Sequence, residues 1–97
     1  MHKLKLTSKI SRNEQVNYIE IDDEIVLMNE NNDQFYAINT IGSELWSLLE
    51  NSSLTLCELC ERIQENYEIS ETTCINDVTL FIESLLDKNM LQCTNES

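Results

Sequence analysis

The sequence predicts an α+β domain in which a three-stranded antiparallel sheet is followed by three helices. Up to Ile38 the chain falls into short runs rich in β-branched and aromatic residues, separated by acidic and amide turn clusters. From Asn39 onward the apolar residues recur at helical spacing, and each run is preceded by an Asn, Thr or Ser able to cap it. Three strands cannot bury their apolar face alone, so the helices must cover one side. That order resembles a winged helix with the sheet placed first. The chain has 97 residues, enough for one domain with a small core, since a chain of this size buries roughly 60–65% of its unfolded surface.

Residues 1–14 show no clean period and read as a flexible N-terminal segment, residues 15–93 as the domain and residues 94–97 as a tail. The first predicted strand is Val16 to Ile21, ended by the Asp22-Asp23 turn, and the second is Glu24 to Met28. Asn29 to Asp33 is a polar turn cluster, and Gln34 to Ile38 forms the third strand. Short connections make antiparallel neighbours. Asn39 or Thr40 can cap the first helix, Ile41 to Glu50, with Glu44 as an acidic partner in its early turns. Thr55 and Glu58 form a capping box that opens the second helix, which runs to about Tyr67 with Leu56, Leu59, Cys60, Ile63 and Tyr67 as its buried stripe. The third helix starts at Ser70 and runs to about Asn89, and Met90 to Cys93 reads as a final extended piece.

The third helix is the most informative element. At 100° per residue, Ile75, Val78, Ile82, Leu85 and Leu86 fall within roughly 100° of arc, the width of a core-facing stripe. Cys74 and Phe81 extend it along one flank, beside Asp77 and Lys88, whereas Leu80 lies on the opposite side as a surface leucine. The extra apolar flank either packs under the sheet or lines one wall of an open groove.

Charge and chemistry exclude several functions. Four of the six basic residues (Lys3, Lys5, Lys9 and Arg12) lie in the first twelve positions, so from Asn13 onward two basic residues accompany all eighteen acidic ones. Such a body repels phosphate, and nucleic acid is not expected as a partner. It suits a basic peptide or a basic protein surface, or serves solubility alone. No apolar run is long enough to span a membrane and no signal-peptide core is present, so neither a membrane nor secretion is expected and the location is read as cytoplasmic. Cys57 and Cys60 make a lone CxxC, but zinc needs further ligands and the single histidine is His2, so no metal is expected. With Gly42 as the only glycine there is no phosphate loop, and nothing pairs a nucleophile with a base, so no catalytic residue and no cofactor is expected.

The stretch Gln34-Phe35-Tyr36-Ala37-Ile38-Asn39-Thr40-Ile41-Gly42-Ser43-Glu44-Leu45-Trp46 resembles the PqqD-like pattern of two aromatics, an aliphatic-Asn pair, then Gly and Trp on the first helix. Tyr67-Glu68-Ile69-Ser70, Cys74, Asp77-Val78, Phe81-Ile82, Leu85-Leu86 and Met90-Leu91 are similar to the family's third-helix signature, so the likeness runs from about Val16 to Gln92. The family comprises recognition elements for ribosomally made, post-translationally modified peptides. The resemblance implies a non-catalytic adaptor that binds the leader of a precursor peptide as a further antiparallel strand. Gln34, Phe35, Tyr36, Ala37 and Ile38 would give the edge, and Cys74, Asp77, Val78, Phe81 and Leu85 the wall. Main-chain hydrogen bonds then supply affinity and side-chain pockets selectivity.

Length and Cys74 look most like the free-standing modules of lasso-peptide clusters, which hand the precursor to a leader peptidase. Partners of radical-SAM maturases, as in the pyrroloquinoline quinone pathway, are the alternative, and a winged-helix regulator acting through protein contacts is the rival from another class. Asn31-Asn32-Asp33 and Asn89 stand where family members often carry glycine, and asparagine tolerates the left-handed backbone such turns need. An open edge strand also invites pairing with a second copy, as an edge-paired or swapped dimer.

Overall fold

The computed structural model describes residues 4–29 and 34–94. In chain order its elements are β1 (Lys9–Arg12), β2 (Val16–Ile21), β3 (Glu24–Asn29), β4 (Gln34–Ile38), α1 (Thr40–Leu48), β5 (Leu54–Thr55), α2 (Leu56–Asn66), α3 (Glu71–Asp87) and β6 (Leu91–Thr94). The expected α+β architecture is present, with the strands divided between two three-stranded antiparallel sheets, β2-β3-β4 and β5-β1-β6.

The first sheet is the expected meander. Ile21 pairs with Glu24, leaving Asp22 and Asp23 as a two-residue turn in which both residues have positive φ, 50° and 68°. A turn of that hand matches the twist of the flanking strands, and aspartate tolerates it. Ile25 and Leu27 face the core, with Ile38 beside Ile25 across the β3–β4 ladder. On the other face the cross-strand row Ile19, Val26 and Ala37 and the pair Met28 and Phe35 turn outward. The turn cluster Asn31-Asn32-Asp33 lies outside the described residues.

The second sheet corrects the reading of residues 1–14 as a flexible segment. Lys9–Arg12 is its central strand, flanked by β5 and β6, and Ile10 is fully buried. Four residues are too few to show a period, and the partners of β1 sit more than forty positions away at Leu54–Thr55 and Leu91–Thr94. Only tertiary pairing identifies this strand. The same segment completes the start of α2, whose first N–H groups have no partner within the helix. Leu56 N donates to Ser8 O at 3.0 Å, Cys57 N to Leu6 O at 3.0 Å and Glu58 N to the Thr55 hydroxyl at 3.1 Å. Glu58 in turn accepts from Thr55 N, closing the expected capping box, a device worth about 1 kcal/mol.

The other helix ends have equally local causes. Asn39, rather than Thr40, caps α1, its side chain accepting from Gly42 N at 2.7 Å. At the end of α3, Asn89 N donates to Leu86 O and Met90 N to Leu85 O, while Asn89 adopts φ 58°. This is a Schellman arrangement with asparagine in the left-handed position that glycine usually fills, and the buried Met90 packs beneath it. The core gathers Leu45, Trp46, Leu59, Ile63, Val78 and Ile82 between the sheets and helices.

Arg12 joins the parts. Its guanidinium lies 4.3 Å from the Trp46 ring and 5.1 Å from the centroid of Tyr18, and both Nε and Nη2 donate to the Trp46 carbonyl.

Ile10→Ala is expected to cost about 2–4 kcal/mol in a urea unfolding titration, the range for emptying a buried isoleucine site. A loosely attached segment would give a change below about 0.5 kcal/mol.

Candidate functional site

The site begins at β4, which terminates its sheet and has no strand on its far side among the described residues. Its residues alternate as the pleat requires. Phe35, 70% exposed, and Ala37 stand on the outer face, while Tyr36 is half-buried and Ile38 buried on the inner one. Gln34 is exposed at the start of the strand.

Beyond Ile38 the chain turns through Asn39 into α1, and there it meets α3. A Cβ placed on Gly42 would stand 2.6 Å from Phe81 Cε1 and 2.9 Å from Cζ, so the close approach of the ring depends on the missing side chain. Asn39 at the cap of α1, Ile41, Gly42 and Leu45 within it, and Asp77, Leu80 and Phe81 from α3 line a pocket of about 300 Å³. Asp77 is its one charged group. At the middle of β4 the Lys88 ammonium lies 4.9 Å from the centroid of the Tyr36 ring. Asp77, Phe81, Ser84 and Lys88 fall within about 60° of arc on α3. One helix face therefore carries the pocket at Asp77 and Phe81 and the contact with Tyr36 at Lys88.

The wall expected from the sequence is corrected by this arrangement. Cys74, Val78 and Leu85 are buried and expose no wall, whereas Asp77 and Phe81 line the pocket against α1. The reason is rotational. Cys74 faces α2, its thiol 3.6 Å from Cys60 O, so the buried stripe is centred between Val78 and Ile82 and shifted away from Ile75, which is half-buried. Leu80, expected to be only a surface leucine, is 67% exposed yet forms the rim of the pocket beside Phe81. Gly42, Asn39, Ile41 and Lys88 were not identified as site residues from sequence. The signals were present in a lone glycine inside a helix and a lone cation at the end of α3, but their meaning comes from contacts across elements.

A second depression, of about 410 Å³, lies on the opposite flank of α1. Glu20, Asp23 and Glu44 line it with the hydroxyls of Thr40, Ser43, Ser47 and Tyr67. Burial, and after it the Glu44 carboxylate, pushes the Tyr67 phenol up from its ordinary range. Glu44 itself accepts from the Asn66 amide at 2.9 Å, so part of this surface ties α1 to α2.

The cysteines are placed as structural groups. Burial pushes the Cys60 thiol up to about 12 and raises Cys74 as well, which keeps both protonated and inert. Cys57 is exposed and donates to Glu61 at 3.3 Å, a bond that also raises its thiol. Among the described residues no group of three or more metal-binding side chains converges. No helix of the described residues is long and apolar enough to cross a membrane.

The sequence profile of the family described as Coenzyme PQQ synthesis protein D (PqqD) matches residues 24–91. The chain belongs to the PqqD family. The match spans β4, α1 and α3, which surround the groove, together with β3 and α2. Among solved structures, the PqqD-family fold recurs in a chain described as TbiB1 in complex with the TbiA(beta) leader peptide. That chain is 27% identical, with a TM-score of 0.79, over 89% of this chain and 99% of that one. It recurs also in a lasso peptide synthetase B1 complexed with the leader peptide, at 14% identity and a TM-score of 0.75, over 86% of this chain and 96% of that one. The second likeness is one of fold alone. No curated protein matches the chain.

Three outcomes follow from the geometry and the buried thiols. Gly42→Ala is expected to push the Phe81 ring aside, seen as displaced Phe81 resonances in an NMR spectrum. The better helix propensity of alanine, about 1 kcal/mol, should offset most of the strain and keep the unfolding midpoint nearly unchanged. A thiol-alkylating reagent at pH 8 should label Cys57 in the folded protein and reach Cys60 and Cys74 only in denaturant. Because the Cys60 thiol is raised in the fold, stability should also fall as pH rises from about 9 toward about 12.

Proposed function

We propose that this PqqD-family chain is a non-catalytic adaptor that binds the leader region of a ribosomally synthesised precursor peptide and delivers it to a modifying enzyme. The observation that carries the reading is the open edge of β4 lying beside the Phe81 groove. An incoming peptide pairs antiparallel with β4 and satisfies its outward N–H and C=O groups. The peptide's alternate side chains then fall into the groove between β4, the start of α1 and the Asp77–Lys88 face of α3. Phe81 gives the groove its apolar floor and Lys88 closes the Tyr36 end.

The two solved chains that share the fold were each captured with a leader peptide, which supports the peptide as ligand. The second of them, a lasso peptide synthetase B1, agrees with a lasso-peptide pathway, in which a leader peptidase is the receiving enzyme on this proposal. The family description, Coenzyme PQQ synthesis protein D, favours the second reading, in which the receiver is a radical-SAM maturase. The adaptor works in the cytoplasm on this reading, where its free thiols remain reduced. Its acidic body turns nucleic acid away.

The test is a fluorescence anisotropy titration of labelled leader peptides from precursors encoded beside this chain. Saturable binding is expected. Absence of binding by every such leader at high micromolar concentration would sink the proposal. Phe81→Ala should weaken binding at least about tenfold, equivalent to about 1.4 kcal/mol, and lower folding stability by less than that. Equal losses in both would mean that Phe81 serves the core alone. A β4 edge occupied by a second copy would appear as a protein-concentration-dependent mass that leader peptide does not dissolve.

A further inference from the structure

We propose that the groove reads the order of charges along its peptide as well as its shape. It takes a segment that carries, from N- to C-terminus, a cation, an aliphatic or aromatic residue two positions later, and a carboxylate two positions after that. This rests on strand addition to β4 and adds to it a direction, a register and a substrate class.

Three observations carry the inference. The groove face of α3 is charged only at its ends, with Asp77 in the pocket beside Asn39, Phe81 against Gly42 in the middle, and Lys88 over Tyr36. Lys88 is the only basic residue between Arg62 and the C-terminus, so the positive end is distinct in an otherwise acidic region. The contacts also fix direction. Tyr36 meets the end of α3, and Asn39, later in the chain, meets its middle, so β4 and α3 run antiparallel. A peptide antiparallel to β4 therefore runs parallel to α3, with its N-terminal end at Asp77 and its C-terminal end at Lys88.

The spacing follows from the two periodicities. Asp77 and Lys88 are eleven positions apart, a rise of roughly 16 Å along a helix at about 1.5 Å per residue. An extended strand rises about 3.4 Å per residue, so that span equals about five residues. Side chains that face the groove recur every second residue, which leaves four or six. The residues that Asp77 and Lys88 stand beside, Asn39 and Tyr36, are three positions apart, about 10 Å of extended chain, so the shorter spacing of four fits. The residue midway then stands over Phe81.

The experiment uses the full chain and four synthetic peptides in a strand-forming Thr/Gln background. One is the forward peptide Lys-x-Leu-x-Glu. The second has the charges exchanged, the third has glutamine at both positions, and the fourth has the glutamate moved by one residue. At low salt the forward peptide should bind about tenfold more tightly than the exchanged one, since each partly exposed pair contributes a factor of about two to five. The shifted peptide should lose the contribution of Lys88, because its carboxylate turns to the opposite face. High salt should reduce these differences. The Asp77→Lys, Lys88→Glu double variant should invert the preference. Asp77→Asn and Lys88→Gln, each checked for folding by circular dichroism, should remove one half of it if the double variant does not fold. Equal affinity for forward and exchanged peptides, with a neutral peptide that binds and is weakened by Phe81→Ala, overturns charge reading and leaves strand addition standing. Failure of all four peptides to bind overturns both.

Discussion

The guanidinium of Arg12 lies against the rings of Tyr18 and Trp46 while donating to the Trp46 carbonyl. Arg12 belongs to the β5-β1-β6 sheet, Tyr18 to the β2-β3-β4 sheet and Trp46 to α1, so one side chain touches three parts of the fold. A cation over an aromatic face contributes about 0.5–2 kcal/mol, more as water is excluded, and a hydrogen bond from a charged donor about 1.5–3 kcal/mol. The Trp46 carbonyl lies in the last turn of α1, where a cation also complements the helix dipole. Trp46 is 1% exposed and meets Tyr18 edge to face at 5.9 Å, so its position determines how α1 lies against the β2-β3-β4 sheet.

The groove inherits its shape from that constraint. With α1 held by Trp46, its first turn sits where Asn39 leaves β4, and Gly42 comes against Phe81. The pocket is therefore a consequence of the angle between a strand and the helix that follows it, closed by a third element from later in the chain. The buried Asn29 amide, donating to Lys88 O at 3.2 Å, fixes the far end by tying β3 to the cap of α3. The Lys88 end of the Asp77–Lys88 face is thus positioned by a polar contact at a helix terminus, and the apolar middle is left to ring packing.

The parts of this arrangement that were legible in the sequence have local causes. The meander follows from alternation and from turn residues that accept positive φ. The helices follow from Asn39, Thr55 and Ser70, whose side chains compete for free N–H groups over three residues. Asn89 was legible for the same reason, as a residue able to end α3 in a left-handed conformation. Lys9–Arg12 was not, because its hydrogen bonds go to Leu54–Thr55 and Leu91–Thr94, and nothing in four residues announces them. The candidate wall was misplaced by one flank of α3. Periodicity gives the width of an apolar stripe, but its centre depends on which neighbour packs there, and Cys74 was drawn inward by α2. Lys88 and Gly42 gain their roles only from Tyr36 and Phe81.

The outward face of the β2-β3-β4 sheet bears on how the protein behaves in bulk. Phe35, Ala37, Val26, Met28 and Ile19 form an apolar surface that runs up to an open strand edge, the combination from which fibrous assembly usually starts. The net charge of −12 opposes it, since two such surfaces approach only against the repulsion of their carboxylates. Acidity here acts as a colloidal barrier. As pH falls into the range where aspartate and glutamate take up protons, that barrier drops while the edge stays open, and dispersed protein becomes prone to gel or precipitate.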